Sequence, residues 1–321
     1  MRGLGAALTN LKRVLVGICK NHGAAFTVML HNGNGSILTN NPIKGTSSVL
    51  KQSWIAAVAF LFISFSARGQ VVKSVDPLLG NAGGGNTFPG AAVPFGMIKP
   101  GPDMGNNSGN AGWMAEGDIN GFSQTHVSGT GGGAKYGDVM IQPTVGDPTP
   151  TDSSSPGKGE RASAGFYGVT LTRFPIDVEI TTAARAALYR FTYPPSAKAN
   201  ILFDVSHFLS SYANQGENQR LVASSIHIIS PTEVTGSTTL TGGWNLQTTT
   251  FTVYFYAITD TASTSSGTWR GNELHKLSKG SDGGKGELSG GWLSFATKKH
   301  QQIRLKIGIS FISIEKAKQN A

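Results

Sequence analysis

Most side chains in this sequence that could meet a ligand lie in one glycine-rich stretch, Val75 to Pro143. His126 stands between Thr125 and Val127-Ser128-Gly129, where its ring can bond either a ligand hydroxyl or a loop carbonyl. Trp113 follows Gly109-Asn110-Ala111-Gly112 and can serve as a platform for an apolar sugar face or as a lid on the end of a core. Asp103, after Pro100-Gly101-Pro102, suits a turn better than a ligand contact, and Asp76 beside Pro77 reads as structural. No two carboxylates stand out as a general acid and base: Asp177 and Glu179 share a strand face that solvent would cover, and Glu116 and Asp118 are close but otherwise unremarked. Hydrolysis of a glycoside needs two carboxylates about 5–10 Å apart across a pocket. The sequence by itself singles out no such pair.

Several other chemistries are excluded. Gly129-Thr130-Gly131-Gly132-Gly133-Ala134 fits a loose dinucleotide pattern, but no βαβ unit surrounds it. Gly83-Gly84-Gly85 lacks the Lys and Ser or Thr of a phosphate loop. His126, His207, His227 and His275 do not fall at metal-ligand spacing. What remains is a surface of backbone, small polar side chains and a few aromatics, which suits sugars: hydroxyls take many short hydrogen bonds and C–H faces lie on rings. Glycine lets backbone approach such a ligand closely.

The elements that must hold these loops read as short strands. Ile176, Val178 and Ile180 alternate with Asp177, Glu179 and Thr181; Phe251, Val253 and Phe255 alternate with Thr252, Tyr254 and Tyr256. Ile303, Leu305, Ile307, Ile309 and Phe311 form a third such row, and Ile201-Leu202-Phe203 reads as a strand buried on both faces. Pro, Gly and Ser clusters separate them, which predicts an all-β fold, a large antiparallel β-sandwich with long glycine-rich loops. Val75 to about Asp118, Pro148–Gly159 and Ser278–Gly286 are expected to be loops. From Ser313, an N-cap candidate, Ile314 to Ala321 has the composition of a helix.

Charge divides the chain. Seven of its 27 Lys and Arg precede Gln70, where no Asp or Glu occurs; the other 20 face all 18 acidic residues. Of the formal charge of +9, the leader thus carries +7 and the rest of the chain +2, and a nucleic-acid partner is not expected. Lys51, the run Trp54 to Phe65 and the small residues Ala67 and Gly69 predict a signal peptide over 49–69, cleaved after Gly69, and hence a secreted or periplasmic protein. That run is too short to cross a bilayer of about 30 Å, which takes roughly 20 residues, so no membrane span is expected after cleavage. Residues 1–48 lack any hydrophobic period and are expected to be a disordered or non-native leader, translated from a misplaced start codon upstream of the signal peptide. Cys19, the single cysteine, lies there, so the mature chain is expected to use neither disulfides nor cysteine-built zinc.

Several phrases, in order, carry a family resemblance: Val75-Asp76-Pro77-Leu78-Leu79-Gly80, Thr87-Phe88-Pro89-Gly90, Pro94-Phe95-Gly96-Met97, Gly121-Phe122-Ser123, Thr125-His126, Ser128-Gly129-Thr130-Gly131 and Tyr136-Gly137-Asp138. Weaker echoes follow at Gly165-Phe166-Tyr167, Tyr189 to Pro194 and Gly308-Ile309-Ser310-Phe311. Together they resemble the N-terminal domain of the glycoside hydrolase family 92 exo-α-mannosidases. That resemblance implies a β-sandwich over 70–312, then at 313–321 the start of a linker helix to a missing (α/α)6 barrel. It implies calcium-dependent, inverting removal of terminal mannose from N-glycans or mannans. The acid, the base and the principal calcium ligands would belong to the barrel, so no catalytic or metal residue is expected here. The β-domain would lend loops to the pocket for α-mannoside glycans, and the matching positions are Thr125, His126, Ser128, Gly129 and Thr130, with Trp113 as the candidate platform. A non-catalytic carbohydrate-binding β-sandwich is the alternative, and a purely structural or adhesive sandwich a further rival.

Overall fold

The computed structural model describes residues 72–81, 87–104, 112–127, 134–210, 219–245 and 249–321. The leader and signal peptide, 1–48 and 49–69, lie outside the described residues. The described residues form two antiparallel sheets face to face, with a separate two-stranded ladder of Lys135–Tyr136 and Leu209–Ser210. One runs, in spatial order, Glu273–Lys276, Ser265–Arg270, Ser289–Thr297, Ser196–Asp204, Met140–Val145 and Asp118–Ser123, with Gly101–Met104 paired to the last. The other runs Ser155–Ser163, Phe166–Leu171, Ile176–Thr182, Ala186–Tyr193, Gln301–Ser310, Thr250–Thr259, Glu233–Thr241, Arg220–Ile228 and Gly280–Gly283. They join at one corner, where Asp118 and Ile119 pair with Pro156 and Ser155.

Strand alternation builds the core. Ile176, Val178 and Ile180 are buried while Asp177 and Glu179 are not, and Ile303, Leu305 and Ile307 alternate with exposed Gln302, Arg304 and Lys306. Phe203 of one sheet stacks on Phe255 of the other at 6.4 Å, and Phe122 meets Tyr167 at 6.4 Å. Sandwich faces that interdigitate in this way remove apolar area from water at about 25 cal/mol per Å2. On the other face of the first sheet, Trp269 and Trp292 stack at 6.5 Å, each lying over a cross-strand glycine. A Cβ on Gly290 would come within 2.1 Å of the Trp269 ring, so only glycine fits beneath it.

Three expected loops contain strands. Gly280–Gly283, within the predicted Ser278–Gly286 loop, pairs with Ser224–His227. Glycine and serine carry little pattern, yet their backbone pairs as well as any other. Pro148–Gly159 gives way at Ser155 to a strand whose side chains are mostly exposed, and Gly101–Met104 is fully buried inside the Val75–Asp118 stretch. The C-terminal helix, Ile314–Asn320, is capped by Ser313, whose hydroxyl accepts the Lys316 N–H at 3.2 Å. It lies back on the sheet: Ala317 is buried, and the Asn320 amide donates to the Ile309 carbonyl. No helix among the described residues is long and apolar enough to cross a membrane.

Candidate functional site

The site is built on a buried carboxylate. Asp103, fully enclosed on the strand Gly101–Met104, touches two imidazoles. Its Oδ1 lies 2.6 Å from His126 Nε2 and its Oδ2 lies 2.7 Å from His207 Nε2. His126 Nδ1 is 2.9 Å from the Lys99 carbonyl, and Phe88 stacks on the ring at 4.7 Å. Asp204 places His207 by accepting both the N–H and the hydroxyl of Ser206. Burial alone would raise the Asp103 carboxyl, but the charge and hydrogen bonds of His126 and His207 outweigh it and hold it at about 2. Burial likewise lowers His207, and Asp103 overrides it so that the net shift is upward.

A second carboxylate lies beside this cluster under the opposite balance. Tyr136 and Gly137 both adopt left-handed backbone, with φ of 66° and 77°, and turn the chain so that Asp138 faces Thr125. The Thr125 hydroxyl accepts the N–H groups of Gly137 and Asp138 at 3.1 and 2.9 Å and donates to Asp138 Oδ2 at 2.5 Å. Asp138 Oδ1 is buried without a hydrogen-bond partner. Burial outweighs the Thr125 bond and pushes this carboxyl up to about 6. Gln124 anchors the turn, donating to the Phe122 and Val139 carbonyls and accepting the Tyr189 hydroxyl from the facing sheet at 3.0 Å.

Thr125, His126 and Asp138 form one wall of a cavity of about 480 Å3, completed by Met97, Lys99, Tyr136, Phe251 and Phe311 among others. The mix of apolar rings with a few polar groups suits a small polar organic ligand. Asp138 is the only carboxyl residue among the described lining residues. Among the described residues no nucleophile triad forms around His126. Ser123 Oγ approaches His126 Nε2 at 3.4 Å, the same nitrogen that Asp103 holds, and Nδ1 is committed to Lys99.

Of the residues singled out by sequence, Thr125 and His126 come together here. Trp113 does not. It is 8% exposed, donates its indole N–H to Glu160 Oε1 at 2.9 Å, and borders a separate cavity of about 110 Å3. Ser128, Gly129 and Thr130 lie outside the described residues. Asp103 neither makes a turn nor meets solvent; it is the buried tie between two histidines. Asp76 does hold a turn, accepting the Leu78 N–H at 2.9 Å. Asp177 pairs with Arg161, and Glu179 with Arg190. Sequence reasoning missed His207, 104 residues from Asp103 and without local signal. It also passed over Asp138, although Tyr136-Gly137-Asp138 was a conspicuous phrase. Among the described residues no group of three or more His, Cys, Asp or Glu could hold a metal ion.

The family described as the glycosyl hydrolase family 92 N-terminal domain matches residues 74–310. An uncharacterized secreted glycosidase of Arthroderma benhamiae is 32% identical over 164 residues, 46% of this chain and 21% of that protein. The structure of a family GH92 α-mannosidase from Bacteroides thetaiotaomicron superposes with a TM-score of 0.67 at 28% identity, covering 78% of this chain and 34% of that one. The GH92 family glycosyl hydrolase ccman5 superposes at 0.62 with 25% identity, covering 77% and 33%. This chain thus spans about a third of the length of the solved relatives.

Proposed function

The chain belongs to the glycosyl hydrolase family 92 N-terminal domain family, and on that premise we propose that it forms one wall of the sugar pocket of a secreted, inverting α-mannosidase. The observation that carries this is the 480 Å3 cavity, which places Thr125 and His126 in its wall and has a single carboxyl, Asp138, among its described lining residues. The chain binds the glycan end and excludes water from it; the acid and base come from a second domain, the (α/α)6 barrel. Asp103 and His207 act through His126. By tying its Nε2, while Nδ1 is held by the Lys99 carbonyl, they fix the ring beside Thr125, so the wall meets the sugar without reorganisation. Calcium would be held by the barrel. A signal peptide over 49–69 directs the protein to the periplasm or outside the cell.

An apolar rim supports the second domain. Phe95 is fully exposed although its φ of 59° is a strained conformation for a bulky residue, and Phe311 and Ile312 are also exposed. The decisive test is simple. The purified chain, with and without calcium, is expected to bind methyl α-mannoside, with NMR shifts at Thr125 and His126, and to release no mannose from α-mannobiose. Calcium-dependent release by this chain alone would overturn the proposal.

A further inference from the structure

Trp244 is half exposed, at 49%, on the single turn of 3-10 helix Gly243–Asn245 that lies in the chain between the paired strands Glu233–Thr241 and Thr250–Thr259. It is held firmly nonetheless. The Tyr136 hydroxyl accepts the Trp244 backbone N–H at 3.2 Å, and the two rings meet edge to face at 6.1 Å. The buried Lys135 places its ammonium 5.8 Å from the indole centroid. Gly243, at φ 63°, sits so close to the Tyr136 ring that a Cβ would lie 3.1 Å from its hydroxyl. Tyr136 in turn lines the 480 Å3 cavity and meets Phe251 edge to face at 5.6 Å. The indole is therefore fixed one ring's breadth from the cavity, with part of its surface open to solvent.

Its surroundings select a ligand class. At the ends of the strands that the turn connects, Thr249 and Thr250 are exposed and Thr241 donates its hydroxyl to the Thr249 carbonyl, so hydroxyl-bearing side chains flank the turn along the chain. A peptide side chain or lipid would want a continuous apolar trough. A pyranose instead offers one small C–H face ringed by hydroxyls, which matches a single half-exposed aromatic ring. We propose that Trp244 is a stacking platform for the second sugar of an oligosaccharide whose terminal residue occupies the cavity. This rests on the cavity being a sugar pocket, as proposed above. A pre-fixed ring loses little rotamer freedom on binding, which favours such a contact.

The test uses the full chain with methyl α-mannoside and an α-linked mannotriose, by calorimetry and by NMR of the indole N–H. The wild type is expected to bind the trisaccharide about fivefold to tenfold more tightly than the monosaccharide. Trp244→Leu, similar in apolar character but without a ring, is expected to abolish that gain while leaving monosaccharide affinity and thermal midpoint unchanged. Trp244→Phe should keep most of it, and the Trp244 indole resonance should move with the trisaccharide only. Equal affinity for the two sugars in the wild type, or a gain that survives in Trp244→Leu, overturns the platform and leaves the cavity proposal standing. Binding of neither sugar overturns both. A fall in sedimentation coefficient in Trp244→Leu, with sugar affinities unchanged, assigns the ring to contact with a second copy instead and overturns the platform.

Discussion

Asp103 is a carboxylate out of reach of water, and its ionised form survives because two imidazoles meet it at 2.6 and 2.7 Å. Removing one partner of such a buried pair leaves the others uncompensated, so Asp103→Ala is expected to cost about 3–5 kcal/mol in urea unfolding. Asp138 behaves oppositely. With its carboxyl pushed from 3.8 to about 6, the folded chain keeps a proton between those values that the unfolded chain has lost. Stability therefore falls as pH rises through that window, by at most about 3 kcal/mol. Asp138→Asn is expected to remove this slope from the pH profile of unfolding. The Asp103 contribution has the other sign, being lost as pH drops from 3.8 towards about 2. His207, raised above its ordinary 6.5, contributes stability below that value and loses it as pH climbs past its elevated one.

At the scale of elements, the C-terminal helix depends on a glycine it does not contain. A Cβ at Gly308 would lie 2.4 Å from the Ala317 carbonyl oxygen and 2.6 Å from the Ala321 nitrogen, both backbone. Gly308→Ala is expected to lift the helix from the sheet, seen as lost hydrogen-exchange protection at Ala317 and Ala321. Ser313→Ala removes only the cap and is expected to cost about 1 kcal/mol. The helix and the alternating strands were legible because their periods are local. Gly280–Gly283 was not, since a Gly-Ser-Asp-Gly run has no apolar face to alternate, and pairing with Ser224–His227 depends on where that strand's edge comes to lie. Buried Gly101–Met104 was hidden for a similar reason: Pro and Gly mark turns, yet here they let Phe88 lie against the strand.

For the molecule as a whole, the apolar rim at Phe95, Phe311 and Ile312 is where isolation and assembly make different demands. Phe95 holds a left-handed φ while its ring touches solvent, so its side chain stabilises the isolated chain little. Phe95→Asn, which tolerates that backbone, is expected to leave the thermal midpoint unchanged or slightly higher. The same substitution is expected to weaken association with a family 92 barrel supplied in trans, measured by co-sedimentation.

What the sequence determined by itself was whatever a short window can encode: the strand faces at Ile176–Ile180 and Ile303–Ile309, the capped helix after Ser313, and the ordered phrases that carry the family. What only the tertiary structure decided was which side chains meet and which meet water. Trp113 and Trp244 each follow glycine in a polar loop, and nothing local separates them. One is covered and bonded to Glu160, 47 residues away; the other rests on Tyr136, 108 residues away, and keeps half its surface open. Burial, the shifted carboxyl of Asp138 and the joining of Asp103 to His207 all arise from neighbours distant in the chain. Exposure and charge balance belong to the packed whole, because each depends on what other segments exclude from the site.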